Sequence, residues 1–397
     1  MTVLPGPAEA APPARRIVLT SWSTGSDLKA GTTDGVVVQD GALALNGTRA
    51  SGSWTSPWTS PGFSLTELIP SWRATTPGGS SIRVEVRGRT SDHTGSWDTI
   101  ARWAFTDRRV QRASGTSQTD DLGRVAYDTW VTGGVTAYQV RVTLLRPSGS
   151  SDQPTVDAVQ AMASRLPNVS SVATSAVGAA PNPALGKVLP VPRYSQMIHE
   201  GEYPQYDGGG EAWCSPTSTT MVLAYYDALP PARAWSWVDN GYDDPEVAHA
   251  ARRTYDGNLS GTGNWAFNTA YAGATTAQAF VTRLRNLREA ERFIAAGIPL
   301  VASITFGRGE LDGAPISSTN GHLLVIVGFR DNGDVVVNDP AAASDAGVRR
   351  TYDRGQFEDA WLKRYASGSS LRGSGGLVYV IRDTAHPLPD RAQDRNW

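Results

Sequence analysis

The chain has 397 residues, more than one ordinary hydrophobic core accommodates, and we therefore expect two domains. Its hydrophobic content of 40%, charged content of 19% and net charge of -2 at pH 7 fit a soluble globular protein and argue against a nucleic-acid-binding surface. No apolar run approaches the ~20 residues that a membrane span requires.

Residues 1–16 are rich in Ala and Pro, and we expect them to be disordered. They lack the apolar stretch of a signal peptide. An N-terminal segment rich in Pro and small residues resembles the segment that follows a signal-peptide cleavage site, which favours a secreted, extracellular protein. A cytoplasmic protein is the alternative. The single cysteine fits either compartment.

Residues 17–166 contain short β-type segments separated by turns rich in Gly, Ser, Thr and Asp. Several segments alternate apolar with polar residues, as strands with one buried face do. The clearest are 17–20, 35–39, 81–88, 99–105 and 137–145. Evenly spaced strands without helical periodicity predict an all-β sandwich of jelly-roll type.

This half also holds seven of the thirteen tryptophans. Trp54 and Trp58 are flanked by Ser and Pro, which makes them the best candidates for an aromatic platform that binds sugars or peptides. A cell-wall or polysaccharide ligand is therefore one expectation for this domain. The alternative is that the tryptophans form the core of the sandwich.

Residues 167–188 lack periodicity and are predicted to be a linker, after which the pattern changes to mixed α and β. The predicted helices begin at residue 214, begin at residue 245, cover 287–296 and cover 356–362. The predicted strands cover 299–306, 322–329, 335–338 and 376–382. Helices followed by an antiparallel sheet indicate an α+β domain over 189–385, with a tail at 386–397.

Cys214, the only cysteine, cannot form an internal disulfide or a multi-cysteine metal site. It stands at the start of an amphipathic helix, and Pro216 suits the first turn of that helix. Free backbone N–H groups and the helix dipole lower a thiol pKa at such a position, so the pattern favours a nucleophile. The alternative is a buried structural cysteine.

His322 opens a strongly apolar strand, where a cleft can reach its ring, and would act as the general base. Asp339 follows it across one hairpin turn and can hold the imidazole in the correct tautomer, because neighbouring strands lie ~4.8 Å apart. Asn338 is the alternative orienting residue. An Asn-Asp-Pro turn without catalytic function is the competing interpretation.

An acyl-transfer site also needs donors for the oxyanion. The backbone N–H of Cys214 is one. The side-chain amides of Gln196 and Gln205 are the candidates for the second, because both lie upstream of the nucleophile.

The runs 191–196, 214–226, Gly321-His322 and Asn338-Asp339-Pro340 together resemble the C39-like cysteine peptidases, relatives of the bacteriocin-processing peptidases with a papain-like fold. The resemblance covers residues 189–383. It implies Cys214 as nucleophile, His322 as base, Asp339 as orienting residue and Gln196 as oxyanion donor. Here Cys-Ser-Pro replaces the frequent Cys-Gly-Pro, and a Gly-rich insertion at 208–210 lengthens the spacing between Gln196 and Cys214. A sandwich followed by a peptidase resembles secreted actinobacterial members.

The expected function is a cysteine peptidase that acts on a peptide or protein substrate as a monomer, without cofactor, metal or nucleic acid. A cell-wall amidase or endopeptidase of NlpC/P60 type, or a transglutaminase-like acyl transferase, would use the same three residues. A third alternative is a carbohydrate- or cell-wall-binding protein whose papain-like domain is inactive.

Overall fold

The computed structural model describes residues 14–116, 119, 121–367, 370–390 and 395–397. The chain is mostly β, with 17% helix. Of the segment predicted to be disordered, residues 1–13 lie outside the described residues, whereas Arg16 already begins the first strand.

The first half contains thirteen strands and one short helix within the described residues. In chain order these are β1 (Arg16–Trp22), α1 (Gly25–Lys29), β2 (Thr32–Asp34), β3 (Val36–Gln39), β4 (Ala42–Leu45), β5 (Ser51–Thr55), β6 (Leu65–Thr75), β7 (Ser81–Arg89), β8 (Asp98–Trp103), β9 (Ala113–Ser114), β10 (Gly123–Ala126), β11 (Thr129–Val135), β12 (Ala137–Leu145) and β13 (Thr155–Arg165).

These strands form two antiparallel sheets that pack face to face. One has the order β10-β11-β6-β13-β4-β3 with β1 also paired to β13, and the other has the order β2-β5-β12-β7-β8-β9. Trp72 of the first sheet meets Trp103 of the second edge to face, with ring centroids 6.3 Å apart. The β-sandwich is confirmed, and its jelly-roll type stays a prediction.

The segment 167–188, predicted to be a linker, contains no helix or strand but is attached to the second half of the chain. The backbone N–H groups of Val172, Ser175 and Gly178 each donate to a carboxylate of that half, at 2.7, 2.5 and 3.0 Å respectively. Because these bonds satisfy its backbone, the segment is held against the surface of the second half.

The second half contains five α-helices and eight strands within the described residues. They are α2 (Cys214–Tyr225), α3 (Pro245–Thr254), α4 (Trp265–Ala272), β14 (Gln278–Arg283), α5 (Leu287–Ala295), β15 (Leu300–Phe306), β16 (Thr319–Phe329), β17 (Val335–Asn338), β18 (Arg349–Tyr352), α6 (Arg354–Leu362), β19 (Tyr365–Ser367), β20 (Ser370–Arg372) and β21 (Leu377–Arg382). Six strands make one antiparallel sheet, in the order β14-β21-β15-β16-β17-β18.

The sequence patterns locate eight of these thirteen elements and miss α4, β14, β18, β19 and β20. Helix α4 is capped by the Asn264 side chain, which accepts from the Phe267 N–H at 3.0 Å, and every residue from Ala266 to Ala272 is buried. A helix buried on all sides has no polar stripe, so it gives no amphipathic period from which it could be predicted.

A buried ion pair joins the two halves. Arg283 on β14 donates to Glu67 on β6 at 2.7 Å, and their side chains are only 2% and 5% exposed. Arg364 also contacts Glu67, so one carboxylate serves two guanidinium groups. The C-terminal tail packs onto the second half, where Trp397 is buried with its ring 5.1 Å from that of Phe293.

We expect Glu67→Gln to lower the free energy of unfolding by about 3–5 kcal/mol, because it leaves buried arginine charge uncompensated. Chemical denaturation followed by tryptophan fluorescence would measure this. Glu200→Gln, the same change at an exposed position, is the matched control and should change the unfolding free energy by less than about 0.5 kcal/mol. Equal losses in both variants would contradict the prediction.

Candidate active site

Cys214 is the first residue of α2 and is half-buried. The chain enters this helix through the short turn at Gly210–Ala212 and then Trp213, whose fully buried indole donates to the Tyr206 carbonyl at 2.6 Å. The Thr217 N–H donates to the Trp213 carbonyl at 3.0 Å, which closes the first helical turn around the cysteine. The buried Trp213 thus fixes the backbone next to Cys214, whose sulfur remains accessible to solvent.

His322 lies on β16 and connects Cys214 to Asp339. Its Nε2 is 2.7 Å from Asp339 Oδ1, and the two side chains are 5% and 1% exposed. The Cys214 side chain also lies close enough to the imidazole to raise the pKa of that ring. Because Asp339 occupies Nε2, the sulfur contact falls on Nδ1, so the three predicted residues form one chain of contacts.

The neighbours of His322 decide its protonation. Burial alone would lower the pKa of the imidazole, but the charge and hydrogen bond of Asp339, together with Cys214, raise it to about 10. Burial works against ionisation of Asp339 as well, yet the charge of His322 and three hydrogen bonds hold the carboxyl pKa below its ordinary value. At neutral pH the raised pKa therefore keeps His322 protonated, as an imidazolium beside the sulfur.

Tyr352, at the end of β18, completes the environment of Asp339. Its hydroxyl donates to Asp339 Oδ2 at 2.7 Å, while the Ala341 N–H donates to Oδ1 at 3.1 Å. Tyr352 is the strand partner of Val335, and period-two alternation places residues 335, 337 and 339 on one face. The sequence gives no local sign of this contact, because the pairing of β17 with β18 spans a long loop without a hairpin signal.

We expect Tyr352→Phe to lower kcat/KM roughly fivefold, since one hydrogen bond that orients Asp339 is lost at a net value of about 1 kcal/mol. Steady-state kinetics at several pH values would show the alkaline limb moving slightly to lower pH. Tyr127→Phe, which removes an exposed hydroxyl from the sandwich, is the control and should leave the profile unchanged. A wild-type profile in Tyr352→Phe would remove its role as a positioning residue.

Two hydroxyl groups dock the cysteine helix on the sheet. Ser218, one turn after Cys214, donates to the carbonyl of Leu323, the residue after His322, at 3.2 Å. Ser215 lies 2.9 Å from the Tyr379 hydroxyl on β21, and both groups are buried. At the position of Ser215, the family that the sequence resembles often has glycine. Here the Ser215 hydroxyl has the Tyr379 hydroxyl of the sheet as its hydrogen-bond partner.

The structure distinguishes between the two glutamine candidates. Gln196 is buried, its N–H donates to the Pro340 carbonyl at 2.8 Å, and its Nε2 donates to the Glu211 carbonyl at 2.6 Å. It therefore lies between the Asp339 loop and the turn before Cys214, with a second N–H on Nε2. Gln205 is exposed on a turn, and its side chain interacts with Tyr206.

Asn338 has a different set of partners from Asp339. Its Nδ2 donates to the Pro192 carbonyl at 2.8 Å, and its Oδ1 accepts from Arg349 Nε at 2.5 Å. Because both ends of the fully buried amide are engaged, Asn338 attaches the segment before Gln196 to the sheet. The orienting contact to His322 comes from Asp339.

The prediction that Trp54 belongs to a ligand platform is wrong. Trp54 is fully buried, donates to the Leu28 carbonyl at 2.7 Å and packs edge to face against Trp22 at 5.7 Å. Alternation along β5 points this side chain into the sandwich, despite its Ser-rich neighbours. Trp58 is half-buried, with the Arg89 guanidinium 4.4 Å from its ring centroid.

Two further observations concern the described part of the chain. No group of three or more His, Cys, Asp or Glu side chains lies close enough together there to hold a metal ion. Nor does any helix in it have the length and apolar character needed to cross a membrane.

Comparison with known proteins gives two family matches. The model of the Peptidase_C39 like family matches residues 188–369, and the model of the Peptidase C39 N-terminal domain matches residues 18–164. A search of curated protein sequences finds no match.

Solved structures show only remote likeness. A family two carbohydrate esterase from Cellvibrio japonicus is 10% identical, with 41% of this chain and 38% of the esterase covered and a TM-score of 0.20. The CBM22-1 and GH10 modules of xylanase 10B from Clostridium thermocellum are 15% identical, with coverages of 47% and 31% and a TM-score of 0.21. These values support no conclusion about fold or function. The two family matches, by contrast, support a C39-like peptidase over residues 188–369 with a C39 N-terminal domain ahead of it.

Proposed function

We propose that the protein is a cysteine peptidase with a papain-like catalytic domain, which hydrolyses peptide bonds in a peptide or protein through an acyl-enzyme. The observation that supports this most is the continuous chain of contacts from Cys214 through His322 to Asp339. A nucleophile at a helix start and a base on the facing sheet is the arrangement that this chemistry requires.

In the proposed reaction the Cys214 thiolate attacks the carbonyl carbon of the scissile peptide bond. The carbonyl oxygen becomes an oxyanion, for which the Cys214 N–H and the free N–H of Gln196 Nε2 are the proposed donors. As the C–N bond breaks, the proton on His322 Nδ1 passes to the leaving amine. Neutral His322 then takes a proton from water, which attacks the thioester and releases the acid and the thiolate.

Asp339 supports both proton transfers without reacting. Its bond to Nε2 keeps the second ring nitrogen directed at the sulfur, and its charge stabilises the imidazolium. A single carboxylate held by Tyr352 and the Ala341 N–H keeps the ring in this orientation during both steps.

The same three residues would also serve an amidase or a transglutaminase-like enzyme. The acceptor of the acyl group distinguishes these functions, because a peptidase transfers that group to water and an acyl transferase transfers it to an amine. Incubation of the full chain with a fluorogenic peptide library and with a denatured protein, with and without added primary amine, would separate them. We expect new free amino termini from peptides; products that contain the amine, without hydrolysis, would instead identify an acyl transferase.

Labelling with iodoacetamide provides a test that needs no substrate. We expect rapid modification of Cys214 near pH 6 and much slower modification in His322→Ala, which lacks the imidazolium. Because the chain has one cysteine, the mass increase reports this site alone. Labelling only above pH ~8.5 in both proteins would identify a structural thiol and support the inactive binding protein.

A further inference from the structure

The outer face of the second sheet carries a row of arginines. On β7 the side chains of Ile82, Val84 and Val86 are fully buried, so alternation turns the intervening residues outwards. We call Arg83, Arg87, Arg89 and Arg141 the arginine face; the first three lie on β7 and the fourth on the neighbouring β12. The face has a surplus of positive charge on a chain whose net charge is -2.

One carboxylate lies within this row. Glu85 accepts two hydrogen bonds from Arg141, at 2.8 and 2.7 Å, and forms an ion pair with Arg83 at 3.2 Å. Arg87 is bonded instead to the neutral amide of Gln139, at 2.9 and 2.7 Å. Partial burial and the charge of Arg141 lower the pKa of Arg87. The charges of the face are therefore not balanced within it.

Two tryptophans hold these guanidinium groups in place. Arg87 lies 5.1 Å from the ring centroid of Trp58 and 4.5 Å from that of Trp97. Arg89 covers Trp58 at 4.4 Å, and Arg141 covers Trp97 at 4.2 Å. Stacking on an aromatic ring fixes the plane of a guanidinium but leaves N–H groups at its edge, ready for a carboxylate.

A cavity of about 250 Å³ lies at one end of the face. Three arginines line it, Arg49, Arg83 and Arg141, together with Asp34 and the hydroxyl side chains of Ser51, Ser53 and Thr143. The volume is below the roughly 300–1,000 Å³ of pockets for drug-sized ligands and suits a single sugar ring. Arginines can bind a carboxylate in a bidentate manner, while Asp34 and the hydroxyl groups can bind sugar hydroxyls.

We propose that this cavity and the arginine face bind an acidic polysaccharide. One carboxylate-bearing sugar occupies the cavity, and carboxylates of neighbouring sugars meet Arg87 and Arg89. A nucleic acid fits less well, because the Trp58 and Trp97 faces on which bases would stack already carry guanidinium groups. The site is separate from Cys214 and does not depend on peptidase activity.

Affinity electrophoresis of the full chain in gels that contain polygalacturonate tests the proposal. We expect retardation that weakens with salt and is absent in gels with neutral galactan. Arg49→Gln combined with Arg83→Gln should weaken binding about tenfold or more, since two charge-assisted contacts are lost. The matched control is Arg16→Gln with Arg108→Gln, two exposed arginines outside the face, which should bind as wild type does.

Thermal melts of each variant check that it folds, and Arg49→Gln alone, at an exposed side chain, gives a second variant expected to bind about threefold more weakly. Three results would overturn the proposal. The first is that polygalacturonate does not retard the wild type. The second is that the control pair of substitutions weakens binding as much as the test pair does. The third is equal affinity for polygalacturonate, polyphosphate and single-stranded DNA, which would indicate attraction to any polyanion.

Discussion

Cys214→Ala should abolish hydrolysis, with kcat/KM reduced by at least about 10⁴-fold, because no other thiol in the chain can form the acyl-enzyme. The fold should persist, since the side chain is half-buried and its removal leaves only a small void. Steady-state hydrolysis of a peptide substrate measures the first effect, and thermal unfolding measures the second.

The single cysteine allows a chemical version of the same experiment. One equivalent of iodoacetamide should inactivate the wild type in step with modification of Cys214, and Cys214→Ala should not react. Ser236→Ala, which removes one hydroxyl at an exposed position, is the control that should retain full activity. Hydrolysis that survives in Cys214→Ala, or in fully alkylated wild type, would show that this thiol is not the nucleophile.

Asp339→Asn should lower kcat/KM at pH 8 by roughly 10²-fold or more and move the alkaline limb of the pH profile to lower pH. The direction follows from the causes of the His322 pKa. Burial lowers that pKa, and the Asp339 charge and hydrogen bond are the main causes that raise it to about 10. Without the carboxylate, burial dominates and the pKa falls towards or below its ordinary value of 6.5.

A lower pKa of His322 means that the imidazolium loses its proton at a lower pH, so its positive charge beside Cys214 disappears within the neutral range. Alkylation of Cys214 by iodoacetamide should therefore be slowed most between pH 7 and 9 in Asp339→Asn. Asp331→Asn, in the exposed turn of the same hairpin, is the matched control and should keep the wild-type profile. Identical alkaline limbs in wild type and Asp339→Asn would exclude Asp339 as the orienting residue.

The predictions for Cys214 and His322 rested on local patterns alone. Cys214 was chosen from the cap and turn residues around a helix start, and His322 from its position at the start of an apolar strand. Both signals are local because they lie within one turn or one strand. The structure places these two residues in contact, although more than a hundred residues separate them.

Local patterns favoured Asp339 and left Asn338 as the alternative, and only the alignment of the strands decides between the two contacts. The pairing of β16 with β17 shifts register between Ile326 and Gly328, and the preceding segment supplies the Pro192 carbonyl that binds the Asn338 amide. Tyr352 reaches Asp339 only because β18 pairs with β17. Each of these contacts depends on how strands are aligned with one another.

Composition around a residue can also mislead. Trp54 has Ser and Thr neighbours that indicate an exposed loop, yet the alternation Ser53, Trp54, Thr55 was already that of a strand with Trp54 on its inner face. Likewise Arg83, Arg87 and Arg89 alternate visibly in the sequence, but their stacking with Trp58 and Trp97 joins separate segments.

The sequence by itself determined that the first half is a sandwich, where many of the elements of the second half lie, and which residues are the candidates for nucleophile and base. These properties depend on the spacing of apolar and capping residues within a short stretch. Only the tertiary structure decided that Asp339 rather than Asn338 contacts His322, that Trp54 is buried, and that Glu67 pairs with Arg283, 216 positions away. Such contacts form only when the whole core is assembled, because their free energy comes from the mutual burial of distant segments.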